Sequence, residues 1–293
     1  MRFYKNGNCI VCISSDGTKI RQCSDESPEP SFAENIDVKI TEKCASGCVF
    51  CYENCTPAGK HADLDSYGFI DHLHPFTEIS INGNDMNHPQ MDKFLERVKR
   101  QQVFANITVN QRQFMNSYEK LAGYQEAGLI YGIGVSYEKF DKDFIDRFMT
   151  IRNGVLHTIV GIITKDDIKK LSGYGFNLLF LGFKDVGRGK KFKETMEASI
   201  EANTQMLKEL IPNLEEQFRT VCFDNLALDQ LDVKNMIPKE QWDKLYMGDD
   251  GTFTFYIDLV NGTFARNSIS GRKMKVMNRN IDEMFRIIRN LKH

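Results

Sequence analysis

Strand-type and helix-type segments alternate along residues 36–183, and this rhythm restricts the fold more than any other feature of the 293-residue chain. Ile36–Thr41, Thr77–Asn82, Phe104–Asn110, Ile130–Ser136, Val155–Thr164 and Asn177–Phe183 are rich in β-branched and apolar residues and read as six strands. Between them, Met91–Gln101 carries Met91, Phe94, Leu95 and Val98 at helical spacing. Ser117–Ala127 carries Tyr118, Leu121, Ala122 and Tyr124 in the same way, and Asp141–Ile151 carries Phe144, Ile145, Phe148 and Met149. Asp166–Leu171 is a shorter helix of this kind. Strands joined by helical crossovers pair in parallel with right-handed connections. An α/β fold is expected, either a doubly wound sheet or a barrel.

The flanks have a different texture. Lys5-Asn6-Gly7-Asn8 and Ser15-Asp16-Gly17 hold hairpin signals, so residues 1–30 are expected to form a small β-hairpin extension. Beyond Gly187-Arg188-Gly189 the expected elements are a polar helix over Lys191–Leu210 and a strand over Thr220–Phe223. A hairpin over Gly251–Ala265, turning at Asn261-Gly262, and an amphipathic helix over Ile281–Leu291 follow. The domain divisions drawn this way are 1–30, 31–190 and 191–293, the last an α+β extension that caps the barrel.

Thirty-eight Lys+Arg against 40 Asp+Glu leave a net charge of −2, which argues against a globally basic nucleic-acid binder. The apolar run Leu178–Leu181 is far shorter than the roughly 20 residues a membrane helix needs. The start, MRFYKNGNC, has no apolar signal region. A cytoplasmic protein with no membrane partner is expected.

The chemistry concentrates in the cysteines. Seven of the eight (Cys9, Cys12, Cys23, Cys44, Cys48, Cys51 and Cys55, leaving Cys222) lie in the first 55 residues. In a cytosolic chain, clustered thiols are expected to stay reduced and to bind metal rather than form disulfides. Cys9 and Cys12 sit in a strand, where period two turns them to opposite faces, so they and Cys23 are read as structural. Cys44-Ala-Ser-Gly-Cys48-Val-Phe-Cys51 directly follows the first strand of the alternation. Three thiolates on one tight loop leave an iron of a [4Fe–4S] cluster without a protein ligand, open to a small molecule. The alternative is a zinc site on Cys44, Cys48, Cys51 and Cys55, with His61 nearby, in a non-catalytic binding module. Only Cys48-x-x-Cys51 forms the CxxC knuckle that zinc prefers, and no second knuckle lies at a suitable distance. Cys55 is read as a neighbouring free thiol.

This CxxxCxxC with Phe50 before the third cysteine, placed after the first of six strands, resembles the radical S-adenosylmethionine (radical SAM) superfamily. The resemblance covers roughly residues 36–190. It implies a partial (β/α)6 TIM barrel and a [4Fe–4S] cluster on Cys44, Cys48 and Cys51. It also implies reductive cleavage of S-adenosylmethionine (SAM) to a 5′-deoxyadenosyl radical that takes a hydrogen from the substrate, an oxygen-sensitive centre, and a flavodoxin- or ferredoxin-type reductant. Asn82-Gly83-Asn84-Asp85 is similar to the family's Gly-Gly-Glu-Pro segment, which holds the SAM ammonium. It departs from that pattern at Asn82, Asn84 and Asp85, so Asp85 would supply the charge one place late. Asn110 and Ser136 match the polar strand ends that meet the ribose or carboxylate, with simple strand-end capping as the alternative. Gly161 and Ile162 resemble the adenine wall, Gly182 the backbone that pairs with adenine, and Tyr52 an edge contact.

The substrate is less legible. Lys184–Lys193 holds five basic residues and one acid, and Lys184 and Arg188 are candidates for gripping a phosphate or carboxylate. Asp224, Asn225 and Gln230 either line the site or cap a helix. The region from Tyr246 through Asn261-Gly262 is similar to the hairpin of SPASM-type extensions in peptide-modifying relatives. No cysteine follows Cys222, so no auxiliary cluster is expected. Leu-Gly-Phe-Lys followed by Gly-Arg-Gly is similar to radical SAM proteins of bacterial and phage genomes. A peptide, a nucleotide or nucleic acid, and another small molecule all stay open as substrates.

Overall fold

The computed structural model describes residues 1–25, 27–82 and 86–291. β1 (Arg2–Asn6), β2 (Cys9–Ile13) and β3 (Lys19–Cys23) form an antiparallel meander. Gly7 turns β1 into β2 at φ +59°, where a Cβ would lie 1.7 Å from the Glu29 carbonyl oxygen, so only glycine fits. Cys9 is buried and Cys12 lies on the other face, as period two requires. Cys9 stands opposite Cys23 in the β2·β3 register, and the two form a disulfide. The expectation of reduced thiols is corrected at this pair. Strand pairing faces two cysteines that lie 14 residues apart in sequence.

The buried face of the meander sets Val11 and Ile13 against Phe104, with Phe76 and Tyr131 packed alongside. Those aromatics stand at or just before the N-terminal ends of three barrel strands. Buried Asn6 accepts from the Ser31 and Phe32 N–H groups and donates to the Phe32 carbonyl. Arg21 forks onto buried Glu34 at 3.1 and 2.7 Å. The meander therefore plugs the lower end of the barrel, leaving the C-terminal ends of the strands free for a site.

β4 (Asn35–Lys39), β5 (Glu78–Asn82), β6 (Phe104–Asn110), β7 (Gly132–Ser136), β8 (Gly154–Ile159) and β9 (Asn177–Leu181) pair in sequence order, all parallel. These are the six strands the alternation requires. α1 (Met91–Arg100), α2 (Gln111–Asn116), α3 (Tyr118–Glu126), α4 (Lys142–Phe148) and α5 (Lys165–Leu171) lie between β5 and β9 in the chain. The first connection, β4 to β5, carries the cysteine loop and two 3-10 turns, Leu64–Ser66 and Gly68–His72, in place of an α-helix. Arg97 from α1 holds these turns, donating to the Leu64 and Tyr67 carbonyls and pairing with Asp71 at 2.8 Å.

α6 (Arg188–Leu210) leads to β10 (Thr220–Phe223), which pairs in parallel with β9. α7 (Asn225–Leu231) and α8 (Lys239–Leu245) follow. β11 (Thr254–Asp258) pairs in parallel with β4, β12 (Thr263–Ala265) returns antiparallel to β11, and β13 (Met274–Lys275) pairs with β12. α9 (Ile281–Arg289) packs on β11 through Phe285 and Phe255. The sheet order is β10-β9-β8-β7-β6-β5-β4-β11-β12-β13. β10 and β11 end the parallel run and do not pair with each other, so the barrel stays open between them. Among the described residues no helix is long and apolar enough to cross a membrane.

Period two sorts each strand. Ile107, Val109, Ile133, Val135, Leu156, Leu178 and Phe180 are buried in one continuous apolar core. Phe114, Phe144, Phe148 and Phe176 meet there at ring separations of 5.6–5.9 Å. Each such burial contributes about 1.5–3 kcal/mol. The other parity faces the lumen. It is polar along β4–β7 (Asp37, Ser80, Thr108, Asn110, Ser136) and apolar at Leu179 and Leu181 of β9.

Candidate active site

The loop that leaves β4 is pinned at its base. Isolated bridges join Thr41 to His61 and Lys43 to Thr56. The Cys44 N–H donates to the Thr56 carbonyl at 2.9 Å. Gly59 lets the two arms close, since a Cβ there would lie 2.1 Å from the Glu42 carbonyl oxygen. The His61 ring sits 3.0 Å from the Thr41 hydroxyl at this base rather than among the thiols. Between the arms, Gly47 takes φ +65°, and Cys44, Cys48 and Cys51 are half-buried on the tip.

Arg188, at the start of α6, holds this tip. Its guanidinium donates to the Cys48 and Cys55 carbonyls, each at 3.0 Å, and its N–H donates to the Cys51 carbonyl at 3.1 Å. Gly187 makes the approach possible, and Gly189 the tight turn behind it. A Cβ on Gly187, at φ +60°, would lie 2.5 Å from the Tyr52 carbonyl oxygen, and one on Gly189 would lie 2.3 Å from the Lys184 carbonyl oxygen. Below the loop, buried Lys39 meets Glu53 at 2.8 Å, Glu42 at 2.9 Å and Asp258 at 3.2 Å. Tyr256 also donates to Glu53. Burial alone would lower the Lys39 ammonium; the carboxylates, Glu53 foremost, hold it above its usual value. Lys39, Glu53, Tyr256 and Asp258 escape the motif reading. Their trace in the sequence is a charge ending an apolar strand, in Ile-Asp-Val-Lys and Tyr-Ile-Asp.

Amide groups aim at two of the sulfurs: Asn110 Nδ2 lies 4.0 Å from Cys48 Sγ, and Gln113 Nε2 lies 3.8 Å from Cys44 Sγ. Burial pushes the Cys48 thiol up, and the charges of Glu138, Cys51 and Cys44 add to the shift. Cys55 is buried and donates to Cys51, which holds the Cys51 thiol below its ordinary value. Among the described residues no three His, Cys, Asp or Glu side chains group as a single metal ion needs. Half-buried thiols on one tip, with N–H donors for their anionic form, suit a cluster in which each thiolate takes its own iron.

The other expected site residues divide into two sets. Asn110 caps α2, accepting from the Gln113 N–H at 2.8 Å, while its amide also faces Cys48. Asn110 and Ser136 are register partners at the ends of β6 and β7, and Asn82 ends β5. Tyr52 lies under Lys184, whose ammonium is 4.0 Å from the ring centroid and also donates to Ser268. These residues gather around the cysteine loop and the lumen. Gly83, Asn84 and Asp85 lie outside the described residues.

Gly161 packs on α6, where its carbonyl accepts from Asn203 and a Cβ would lie 2.6 Å from Ile200. Ile162 donates its N–H to the Ile159 carbonyl in the turn after β8. The Gly182 N–H is taken by Asp224 at 2.9 Å, and Asp224 also caps α7 at Ala227. Gln230 satisfies both the N–H and the carbonyl of Phe183. Of the readings left open for Asp224, capping is therefore realised. Asn225 reaches away to Asp250 and the Gly248 carbonyl.

His157 is the lumen residue the sequence did not single out. It is the register partner of Ser136, and its Nδ1 is buried without a hydrogen-bond partner among the described residues. Gly134 makes room for it, since a Cβ there would lie 2.4 Å from the ring. An orphaned polar atom beside Ser136 fits a lumen shaped for a polar ligand such as SAM. Burial pushes the His157 pKa down from 6.5 to about 4. A histidine depressed in the folded state supports stability fully above its unfolded pKa, and that support is lost as pH falls from 6.5 toward 4. At about pH 5 the loss is about 2 kcal/mol. Denaturant unfolding at about pH 7 and about pH 5 is expected to show this loss in wild type and not in His157→Gln. Equal acid loss in both proteins would exclude His157 as its source.

No family model matches the chain, and no curated protein matches it. Solved structures of SuiB from Streptococcus suis do. SuiB bound to the precursor peptide SuiA matches with a TM-score of 0.58 at 13% identity, covering 90% of this chain and 68% of that one. SuiB bound to S-adenosylmethionine matches with a TM-score of 0.55 at 12% identity, covering 90% and 67%. A further SuiB structure gives 0.55 at 13%, covering 90% and 69%. The chain therefore has the fold of Streptococcus suis SuiB.

Proposed function

We propose that the chain is a radical SAM enzyme that acts on a peptide. The observation that carries this reading is the Cys44–Cys51 loop at the C-terminal end of the first barrel strand, in a fold shared with a protein solved with S-adenosylmethionine and with a precursor peptide. Cys44, Cys48 and Cys51 would hold a [4Fe–4S] cluster. When bound, the cluster supplies the electron that breaks a C–S bond of SAM, so that a 5′-deoxyadenosyl radical takes hydrogen from the substrate.

The chain's own residues hold and orient. Arg188 fixes the loop carbonyls, and Asn110 and Gln113 stabilise the thiolates of Cys48 and Cys44. Asn82, Asn110 and Ser136 offer polar contacts at three neighbouring strand ends, and Tyr52 offers a ring edge beside Cys51. The apolar wall of β9 excludes water from the lumen. The nucleotide alternative rests on the basic loop, and that loop is largely committed elsewhere. Lys184 is held by Tyr52 and Ser268, Arg188 by loop carbonyls, and Lys193 by Asp185 at 2.9 Å.

The test is anaerobic reconstitution with iron and sulfide, followed by SAM and a reductant. Dithionite stands in for a flavodoxin or ferredoxin. Formation of 5′-deoxyadenosine, read by chromatography, is the expected result. Uptake of one zinc with no cluster would replace the enzyme reading with a binding module.

A further inference from the structure

The segments that follow β10 and flank β11 and β12 enclose a cavity of about 630 Å³. It is assembled from segments far apart in sequence: α7 after β10, α8, the approach to β11, and the exit from β12. Asp250 ties them together, accepting from Asn225 and Asn267 at 2.7 Å each. One wall is aromatic. Trp242 and Tyr246 stack at 4.5 Å with 18° between their planes. Around this pair stand Asp229, Asp232, Asp249 and Asp250, against Lys234 and Arg266. Four negative and two positive groups leave the lining at −2. Among the described residues no Lys, Arg or His forms an ion pair with any of these four carboxylates. Lys234 lies 5.9 Å from the Trp242 ring, so the indole already faces one cation, and Arg266 donates outward to the Leu291 carbonyl.

The negative field continues toward the lumen. Asp37 and Asp224 are both raised, first by burial, and Asp250 adds to both shifts while Lys184 opposes them. A phosphate would meet repulsion here. A flat or compact cation would find an aromatic face beside carboxylates that accept only from neutral groups, Tyr246 at Asp249 and two asparagines at Asp250, the combination that binds guanidinium and ammonium groups.

We infer that this cavity is a subsite for a cationic group of the substrate, the guanidinium or ammonium of a basic peptide side chain. Trp242 and Tyr246 form its stacking wall, and Asp229, Asp249 and Asp250 are its counter-charges. The inference rests on the peptide reading above and names the side-chain class that the site recognises.

Trp242 is the chain's single tryptophan, so its emission reports on the cavity directly. The experiment titrates the full chain, without SAM or reductant, with capped Gly-Gly-Arg-Gly-Gly, with its neutral citrulline counterpart, and with the free amine agmatine. The arginine peptide is expected to change the emission saturably and to bind at least about tenfold tighter than the citrulline peptide, a difference of about 1.4 kcal/mol. Asp229→Asn and Asp249→Asn, both at exposed positions, are expected to weaken it several-fold each with unchanged melting temperature. Equal binding of the arginine and citrulline peptides, or no saturable change with any probe, overturns the inference. Agmatine binding as tightly as the peptide would overturn the peptide side chain as the source and assign the site to a small amine. The readout needs neither cluster nor SAM, so failure to form 5′-deoxyadenosine and failure of this subsite are separate results.

Discussion

Cys48→Ala is expected to reduce reconstituted iron from about four per chain to well below one, and to abolish 5′-deoxyadenosine formation. Cys48 is the middle of the three cysteines proposed as ligands on one loop tip, with an amide from Asn110 aimed at its sulfur. Its removal would leave two thiolates, too few to hold the proposed cluster, which on this reading already lacks a fourth protein ligand. Alanine at this half-buried position disturbs little packing, so the melting temperature of the metal-free chain should hardly move. Cys55→Ala is the informative companion. Cys55 donates to Cys51 from a buried position, and its replacement is expected to leave the iron content near wild type. If Cys55→Ala loses iron as completely as Cys48→Ala, Cys55 is a fourth ligand and no iron is open to SAM. Iron and sulfide analysis with the absorbance of the reconstituted protein decides between the two.

Arg188→Ala is expected to have the next largest effect, through positioning rather than ligation. The guanidinium bridges carbonyls on both sides of Cys51, at Cys48 and Cys55. Two hydrogen bonds from a charged donor contribute about 3 kcal/mol together, roughly a hundredfold in the population of the closed loop. The variant is expected to take up iron and then release it to a chelator about a hundredfold faster than wild type. Arg188→Lys should not rescue it, because one ammonium cannot reproduce a fork fixed on two carbonyls. Wild-type chelation kinetics in Arg188→Ala would show that the loop holds itself. Gly187→Ala reaches the same loop from outside: its Cβ would press on the Tyr52 carbonyl in a backbone conformation that disfavours side chains.

Arg188 also shows where sequence reading stops. In a run of five basic residues at the mouth of a barrel, it reads as a grip for an anionic substrate. The structure gives its donors to backbone carbonyls 140 and 133 residues earlier in the chain. Lys184 is likewise spent on Tyr52 and Ser268, and Asp224 on Gly182 and Ala227. Each polar side chain has several possible partners, and nothing in the spacing around it selects one. Cys9 and Cys23 differ only in degree. Period two places Cys9 on its face, but the β2·β3 register decides that Cys23 stands opposite.

Features that depend on local periodicity are legible along the chain. These are the six parallel strands, helices α1, α3, α4 and α5 but not the short α2, the hairpin at Asn261-Gly262, and a three-cysteine loop at the end of the first barrel strand. Alternation and helical spacing are written within a few turns of chain, so they survive in any tertiary context that buries them. Contacts between segments far apart in sequence arise only once the whole chain is packed. The meander plugs the barrel's lower end, β11 joins β4, Lys39 pairs with Asp258 across 219 residues, and the acidic aromatic cavity forms from α7, α8 and the segments flanking β11 and β12. Those arrangements follow from burying apolar faces and satisfying buried polar groups across the whole molecule, a balance that no short stretch of residues carries.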